Sequence, residues 1–390
     1  MSGRNFIERG CHVDSVTLTE EAAERLRHGF TWARREDVVE VRGRSDPGAP
    51  VELRDPRGEV VALGDVDLEA PTAVRRLALP DEDPQGIIPR HLRSALQRRL
   101  GLVDDPRYCR LVHDDADGLP GLLVDRYDRH YVMQATTRPM EARAHMVARI
   151  LADITQADSV LLRFDGPGRH QAGLKTGRPQ VLIGTPPRWT RVLELGARIT
   201  TDLFEGRSVG YPYVLREARR MLLRLSSGAS VLDVRSGIGH LFVHAARAGA
   251  RRVLAFTGDQ DELDLARENI EANGLINHVS VHLGGAPEVL ATVDQRFDLV
   301  LVDARDFEPE ELLRMLRPAM RLTRVGGRLI VAASHPAIPA ERLVPLISEA
   351  CEQERRSCVR LVERSAPPDF PALLSGSFSD ALTALALEVN

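Results

Sequence analysis

The stretch VLDVRSGIGH, residues 231–240, decides the fold of the second half of this 390-residue chain. Its first four residues, 231–234, three of them apolar, are typical of a buried strand, and residues 236–239 are typical of a glycine-rich turn. A turn of bare backbone at the end of a parallel strand can hold a nucleotide-like ligand. Many α/β proteins share this pattern, so the flanking sequence has to show whether a ligand site exists here.

Helical and strand-like patterns alternate from residue 212 onward. The pattern predicts helices over 212–225, 240–248 and 260–273. It predicts strands over 230–234, 252–256, 279–283, 297–303 and 326–334. This rhythm predicts a doubly wound parallel sheet, which binds ligands beyond the carboxyl ends of its strands. We therefore expect Asp233, which ends the first of these strands, to lie at the mouth of the site.

The first half of the chain follows another pattern. Residues 14–80 predict a small, mostly β module with one helix over 19–38, which Thr19 can cap. A second helix is predicted over 89–102, and residues 108–200 predict the order strand, strand, helix, strand, strand. The second helix carries leucines on one face and arginines elsewhere, namely Arg90, Arg93, Arg98 and Arg99. These arginines are interpreted as a solvated face, with contact to phosphate as the alternative.

The composition excludes several classes of protein. The formal net charge is −4, so nucleic-acid binding would need a local basic patch. The four cysteines show no C-x-x-C spacing, and neither a metal site nor a disulfide framework is expected. No apolar run reaches the roughly 18 residues of a membrane span, and the N-terminus lacks the apolar core of a signal peptide. A cytoplasmic protein without membrane contact is the expectation.

The most specific stretch is RLVHDDADGLPGLLVDRYDRHYVMQ, residues 110–134. Its segments 117–122 and 124–127 resemble the middle-domain signature of the S-adenosylmethionine-dependent large-subunit (23S) rRNA methyltransferases that make 5-methylcytosine. RLRHGFTW, residues 25–32, is similar to the PUA entry of that family, and the stretch from 231 resembles its first cofactor motif. The resemblance covers nearly the whole chain and is that of a divergent member to its family.

The resemblance implies an α/β protein of three domains. These are a small, β-rich, PUA-like RNA-binding domain over 1–82, a linker helix with an α+β middle domain over 83–195, and a Rossmann-like methyltransferase domain over 196–390. It further implies RNA, in particular rRNA, as the partner, and it leaves a homodimer open. The residues expected to contact RNA are Arg27, Arg34, Arg35 and Arg93.

The implied cofactor is S-adenosyl-L-methionine. The resemblance places around it Asp233, Ser236, Gly237, Gly239 and Asp303. The family carries an acidic residue at the end of the second strand for the ribose hydroxyls, where this chain has Thr257. Asp259 is the candidate replacement, although the loss of cofactor binding stays open.

Other positions depart from the family as well. The adenine aspartate is replaced by Gly284 or Gly285, and the Asp-Pro-Pro-x-Phe motif appears as residues 303–307 without its prolines. A loop beside the cofactor keeps Arg216 and Arg219 but has Ser208 and Val209 in place of a lysine and a threonine.

The family nucleophile is missing too. Methylation of cytosine at C5 needs a thiolate that attacks C6, and the position of the family cysteine is occupied by Ala333 or Ser334. A serine hydroxyl is too weakly acidic to replace a thiolate. Asp303 is a weak catalytic candidate, and His335 is interpreted as a surface or capping residue.

Three functions are therefore open. The first is an RNA-binding protein of this family whose activity is lost or altered. The second is an active S-adenosylmethionine-dependent RNA methyltransferase with a divergent site. The third is a methyltransferase that acts on an acceptor other than RNA.

Overall fold

The computed structural model describes residues 15–43, 48–205, 210–284, 287–305, 307–334, 338, 340–373 and 382–390. The chain divides into two compact units: Met1–Pro186 with Pro371–Ser379, and Pro187–Phe370 with Asp380–Asn390. No helix in the described part of the chain is long and apolar enough to cross a membrane. The same residues contain no group of three or more His, Cys, Asp or Glu side chains that could hold a metal ion.

The first unit begins with a six-stranded sheet in the order β2-β6-β5-β4-β1-β3. Its elements are β1 (Ser15–Leu18), α1 (Glu20–Arg27), β2 (Trp32–Ala33), β3 (Val38–Arg42), β4 (Val51–Arg54), β5 (Val60–Val66) and β6 (Val74–Ala78). Apolar residues of α1, among them Ala22 and Leu26, pack on the sheet in one core. This is the small β-rich domain that the sequence predicts.

The first helix is much shorter than predicted. Thr19 caps α1 as expected, since its Oγ1 accepts a hydrogen bond from the backbone N–H of Ala22 at 3.3 Å. The helix ends before Gly29, which has a φ of 102° in the left-handed region. Glycine adopts this conformation without steric cost and reverses the chain. The predicted helix over 19–38 is therefore wrong beyond residue 27, where β2 and a 3₁₀ turn at Arg35–Asp37 follow.

The rest of the first unit is a five-stranded sheet, β11-β10-β9-β8-β7, with helices. The elements are α2 (Ile87–Leu100), β7 (Tyr108–His113), β8 (Leu122–Tyr127), β9 (His130–Ala135), α3 (Arg138–Ala142), α4 (Ala144–Thr155), β10 (Ser159–Phe164), α5 (Pro167–Gln171) and β11 (Gly177–Gly184). The first two strands predicted in this region, over 121–127 and 130–136, are present as the antiparallel pair β8–β9. The sequence pattern did not predict β7 or the short helices.

The specific stretch 110–134 serves the fold of this unit. Asp117 is buried and accepts two hydrogen bonds from Arg99, Nη1 to Oδ1 at 2.6 Å and Nη2 to Oδ2 at 2.7 Å. Gly118 and Gly121 have φ values of 71° and 78° in the turn that leads into β8. Arg99 is only 1% exposed, so its assignment to a solvated basic face is wrong. Charge pairing with a buried carboxylate outweighs the surface preference of arginine.

Ion pairs join the β-rich part of this unit to its α+β part. Arg75 Nη1 lies 2.6 Å from Asp115 Oδ2, and Arg138 Nη1 lies 2.9 Å from Asp67 Oδ2. Arg143 also pairs with Asp65, and both side chains are almost fully buried. These pairs cross the boundary predicted at residue 82 and explain why the β-rich part and the α+β part form one compact unit.

The second unit holds a two-stranded ribbon and a seven-stranded sheet in the order β16-β15-β14-β17-β18-β20-β19. The strands are β12 (Trp189–Glu194), β13 (Ala197–Asp202), β14 (Ser230–Asp233), β15 (Arg252–Thr257), β16 (Val279–Leu283), β17 (Phe297–Asp303), β18 (Thr323–Ser334), β19 (Cys358–Arg364) and β20 (Leu382–Val389). The helices are α6 (Arg216–Leu225), α7 (Phe242–Arg247), α8 (Gln260–Ala272), α9 (Pro287–Ala291), α10 (Pro309–Leu322) and α11 (Ala340–Gln353).

The strand order of the large sheet fixes the place of a ligand. β14 lies between β15 and β17 and is parallel to both, so the chain changes direction across the sheet at β14. Ligands of doubly wound sheets bind at this switch point, beyond the carboxyl ends of the strands. The doubly wound sheet predicted from the alternating pattern and the Rossmann-like fold implied by the resemblance are confirmed, with element boundaries shifted by a few residues. The sheet is not wholly parallel, however, because β20 runs antiparallel to β18 and β19.

Candidate functional site

The carboxyl ends of β14, β15 and β17, together with the turn 236–239, form what we call the cofactor cleft. Asp233 ends β14 and is completely buried. Neither of its carboxylate oxygens has a hydrogen-bond partner of ordinary geometry in the part of the chain that the structure describes. Burial, and then the charge of Asp303, raise the pKa of Asp233 well above its usual value, while backbone N–H groups of Arg235 and Phe242 oppose the shift. Burial beside Asp303 thus favours the protonated form of the Asp233 side chain.

The glycine-rich turn is tied to the neighbouring strand. The backbone N–H of Ser236 donates to the carbonyl of Phe256 at 2.7 Å, which anchors the turn on β15. Gly237 and Gly239 have φ values of 50° and 96°. A Cβ on Gly239 would lie 2.7 Å from the Phe242 ring, so only glycine fits there. The turn thus exposes bare backbone at the edge where the sequence predicts the cofactor.

Asp303, at the end of β17, is enclosed by cationic and imidazole groups. Arg305 holds its carboxylate with Nε to Oδ1 at 2.8 Å and Nη2 to Oδ2 at 2.6 Å, and His240 Nε2 lies 3.0 Å from Oδ2. Burial would raise the pKa of Asp303, but Arg305 and His240 outweigh it and lower that pKa. Burial lowers the pKa of His240, so its ring is neutral near neutral pH. Asp303 is therefore a fixed, charge-compensated anion.

A carboxylate that sequence reasoning missed lies at the end of β15. Glu262, in the first turn of α8, is buried, and its Oε2 accepts hydrogen bonds from Thr257 Oγ1 at 2.5 Å and from the Gly258 N–H at 2.9 Å. Among the described residues no hydrogen bond involves its Oε1. Glu262 thus supplies a negative group beside the position where Thr257 replaces the expected acid.

Asp259, the predicted replacement for the ribose-binding acid, caps a helix instead. Its Oδ1 accepts from the backbone N–H of Glu262 at 2.8 Å, so Asp259 is the N-cap of α8. The pattern D-x-x-E over 259–262 is the capping-box signature, in which the glutamate turns back toward the residues before the helix. That signature was the available signal for Glu262. A glutamate in a first helical turn is usually assigned only to capping, and the sequence does not show where it reaches.

Two residues, Ala333 and Ser334, are the candidates for the position of the family nucleophile. Ala333 lies in β18, is completely buried and belongs to the core cluster that contains Val331 and Leu385. Ser334 ends β18, but its side chain lies outside the described residues, as do Gly206, Ser208, Val209, Gly285, Asp306 and His335. Gly284 lies in the described part, directly after β16.

The cysteines of this unit are elsewhere. Cys351 is buried in α11, and Cys358 begins β19, with the two sulfurs 3.0 Å apart. Burial and the neighbouring thiol raise the pKa of Cys358 to about 12, so this residue does not provide a thiolate at neutral pH. No described residue of the cofactor cleft is a cysteine.

The two arginines that match the family loop are structural. Arg216 Nε and Arg219 Nε each lie 2.5 Å from the carboxylate of Glu194, and Tyr211 donates to the same carboxylate at 2.7 Å. Burial would raise the pKa of Glu194, but the arginines hold it at about 2. Arg216 also pairs with the buried Asp369. This ionic cluster locks the end of β12 onto α6.

The arginines predicted to contact RNA differ in their surroundings. Arg27 is engaged by Glu24 at 2.5 Å and by Asp55 at 2.6 Å. Arg34 is exposed and lies 3.2 Å from Glu36, with its guanidinium 5.9 Å from the centre of the Trp32 ring. Arg35 and Arg93 are exposed. The last three side chains are the ones that remain available at the surface of the first unit.

Comparisons with known proteins agree with this architecture. The model of a PUA-like domain matches residues 16–78, and the model of a methyltransferase domain matches residues 231–327. The chain therefore has an N-terminal PUA-like domain and a C-terminal Rossmann-like methyltransferase domain. The methyltransferase match supports S-adenosyl-L-methionine as the cofactor, as the resemblance implied.

Curated relatives match over nearly their full length. The chain is 24% identical over 377 residues to ribosomal RNA large subunit methyltransferase I of Erwinia tasmaniensis, covering 92% of this chain and 95% of that protein. It is 25% identical to the protein of the same name from Alteromonas mediterranea, with 96% and 98% covered. The relatives thus carry the name of an rRNA methyltransferase, as expected from the sequence.

Solved structures share the fold of the whole chain. One is described as a "putative" SAM-dependent methyltransferase from Streptococcus mutans, with a TM-score of 0.81 and 13% identity over 96% of this chain and 99% of that one. Another, a methyltransferase of the same description complexed with SAH, has a TM-score of 0.79 and 15% identity over the same shares. At such identities the likeness concerns the fold alone.

Proposed function

We propose that this protein binds S-adenosyl-L-methionine and RNA, but does not methylate cytosine at C5 by the cysteine-dependent route. The observation that carries the proposal is the lack of a cysteine where the resemblance expects the nucleophile, at Ala333, which is completely buried, or at Ser334. The RNA partner is in particular rRNA, in keeping with the names of the curated relatives.

The cofactor cleft fits S-adenosyl-L-methionine. Glu262 offers one unengaged carboxylate oxygen at the end of β15, which suits the hydroxyls of a ribose. The turn at Gly237 and Gly239 leaves room for a ligand to approach the backbone. Asp233, buried without an ordinary partner, can hydrogen-bond to a ligand that enters beside it. When bound, the cofactor supplies an electrophilic methyl group.

The protein lacks the nucleophile that methylation of cytosine at C5 requires. Carbon C5 becomes nucleophilic only after a thiolate has added to C6, and alanine has no group that can add. Asp303 cannot replace the thiolate, because Arg305 and His240 already bind both of its oxygens. Removing a covalent nucleophile from such an enzyme leaves essentially no turnover by that route.

Two measurements test the proposal. The first is calorimetric titration of the protein with S-adenosyl-L-homocysteine, for which micromolar affinity is expected and the absence of binding at millimolar ligand would refute cofactor binding. The second is filter binding of 23S rRNA fragments over a salt series, for which affinity should fall steeply with salt because arginines contact phosphates. A protein that binds the cofactor but no RNA would instead act on another acceptor.

One observation favours a second candidate, an active methyltransferase that modifies another RNA atom. His240 is neutral, its Nε2 is bonded to Asp303, and its Nδ1 has no partner in the described part of the chain. A neutral imidazole oriented by a carboxylate can take a proton from an N–H or O–H acceptor. Under this candidate, digested rRNA would contain a methylated nucleoside other than 5-methylcytidine, and His240→Gln would abolish it without changing cofactor affinity.

A further inference from the structure

The two-stranded ribbon β12–β13 carries an unusual exposed surface. Trp189, one of only two tryptophans in the chain, is 57% exposed at the start of β12. Arg191 and Leu193 follow at alternate positions and are exposed as well, whereas Val192 and Glu194 between and after them are buried. Alternation in a strand places residues 189, 191 and 193 on one face. We call the surface formed by these three exposed side chains the ribbon face.

Arginines dominate the exposed charge of the ribbon. Arg191 and Arg198 in its strands and Arg188 directly before β12 are exposed, whereas its carboxylates, Glu194 and Asp202, are buried. One exposed carboxylate, Glu268 of α8, lies beside the ribbon and accepts a hydrogen bond from Thr200 Oγ1 at 2.9 Å. Arg198 lies opposite Leu193 in the antiparallel register and therefore adds its charge to the same face. The ribbon face therefore combines an exposed aromatic ring with more arginines than carboxylates.

The tryptophan is already paired with a cation. The guanidinium carbon of Arg188 lies 5.2 Å from the centre of the Trp189 ring, and Arg188 Nε donates to Asp202 Oδ2 at 2.7 Å. The buried Asp202 thus orients Arg188, and Arg188 orients the ring. A fixed, half-exposed ring among arginines is the arrangement on which unpaired nucleobases stack while phosphates follow the positive charge.

The ribbon is also rigidly joined to the cofactor cleft. Asn269 of α8 accepts from the Thr200 N–H at 2.7 Å and donates through Nδ2 to the carbonyls of Thr200 at 3.1 Å and Ile238 at 2.9 Å. Ile238 belongs to the glycine-rich turn. One side chain therefore ties β13 to the turn, and Glu194 ties β12 to α6. RNA held on the ribbon face would have a fixed position relative to the cleft.

We propose that the ribbon face is a single-stranded RNA platform, on which an unpaired base stacks against Trp189 while Arg188, Arg191 and Arg198 contact phosphates. This inference rests on the proposed function, because it gives the RNA partner a second contact beyond the PUA-like domain. It commits to unpaired RNA, since a duplex offers its bases no free face for stacking.

The test uses the full chain and the small number of its tryptophans. In a Trp32→Phe variant, Trp189 is the only tryptophan, so its emission reports on the ribbon face alone. Titration with a single-stranded RNA oligonucleotide should quench this emission and protect it from acrylamide. A duplex of the same sequence should do neither.

Affinity measurements complete the test. Trp189→Ala should weaken single-stranded RNA binding by about five- to a hundredfold, and Trp189→Phe by much less, because a phenyl ring still stacks. Arg191→Ala should reduce the slope of log K against log salt by about 0.7. Leu361→Ala, an exposed apolar residue of β19, is the matched control and should change neither.

The outcomes separate the two proposals. If wild-type protein binds RNA but Trp189→Ala binds it equally well and the emission is unchanged, the ribbon face is not the platform and the proposed function stands. If wild-type protein binds no RNA at low salt, the proposed function itself fails. If Trp189→Ala alters only the molar mass in light scattering, the face is an interface between copies of this chain, and the platform is refuted.

Discussion

Replacing Glu262 tests whether the cofactor cleft binds S-adenosyl-L-methionine through the carboxylate of this residue. Substituting Gln keeps the length and shape of the side chain and removes its negative charge. The Oε atom of glutamine can still accept from the Gly258 N–H, which Glu262 Oε2 does at 2.9 Å. Any loss of cofactor affinity would therefore report on the charge rather than on a collapsed loop.

The expected size of the effect follows from the hydrogen bonds that the carboxylate can make. Glu262 uses one oxygen for Thr257 and Gly258, which leaves the other for a ribose hydroxyl. A hydrogen bond to a charged group contributes about 1.5–3 kcal/mol. With about 1.4 kcal/mol per tenfold change in affinity, Glu262→Gln should weaken binding about 10- to 100-fold.

The assay is calorimetric titration with S-adenosyl-L-homocysteine at pH 7, with the thermal midpoint measured alongside. Asp259→Asn is the matched control, because asparagine still caps α8 and the same charge is removed three residues earlier. Its affinity should stay within about twofold of wild type on the same energy scale. If Asp259→Asn weakens binding and Glu262→Gln does not, the assignment of the ribose carboxylate to Glu262 is refuted.

Three further predictions concern stability and the nucleophile position. Because the pKa of Asp233 is raised in the folded state, its stabilising contribution is complete below the unfolded pKa near 3.8 and is lost as pH rises. Asp233→Asn should therefore gain stability relative to wild type above about pH 4, by up to about 1.4 kcal/mol per pH unit in urea unfolding. A difference that stays constant with pH would contradict the raised pKa. Glu194→Gln removes the anion that two buried arginines share and leaves only Asp369 to Arg216. It should lower the unfolding free energy by about 3–5 kcal/mol, a difference that shrinks as pH falls from about 4.5 toward 2; a loss below about 1 kcal/mol would contradict the proposed role of the cluster. Ala333→Cys should add no fast-reacting thiol to a titration with Ellman's reagent and should not start cytosine methylation, since the new sulfur would lie in the apolar core; rapid labelling would show that the position faces the cleft.

The fold of the second unit could be predicted from the sequence because its strands are apolar runs separated by helical periodicity. Residues 231–234 and 297–303 each satisfy one local rule, and the parallel sheet follows from their order. The error at residues 19–38 has the opposite cause. The helical spacing of apolar residues continues past Gly29 in the sequence. The left-handed conformation of Gly29 ends the helix, and this spacing does not reveal it.

The candidate site was less predictable, because its chemistry depends on where long side chains reach. Arg216 and Arg219 match the family loop, yet both are consumed by Glu194, which lies more than twenty residues earlier in the sequence. Glu262 reaches back past its helix cap to Thr257. Such pairings are tertiary, and spacing along the chain does not reveal them. The absence of cysteine at Ala333, in contrast, is a property of composition and could be read directly.

The most direct test of the central claim is nucleoside analysis by mass spectrometry. Unmodified 23S rRNA is incubated with the protein and isotopically labelled S-adenosyl-L-methionine, digested and separated. We expect the protein to bind the cofactor while labelled 5-methylcytidine stays at the level of a sample without protein. Labelled 5-methylcytidine formed in proportion to protein would show instead that the chain carries out the cytosine C5 reaction.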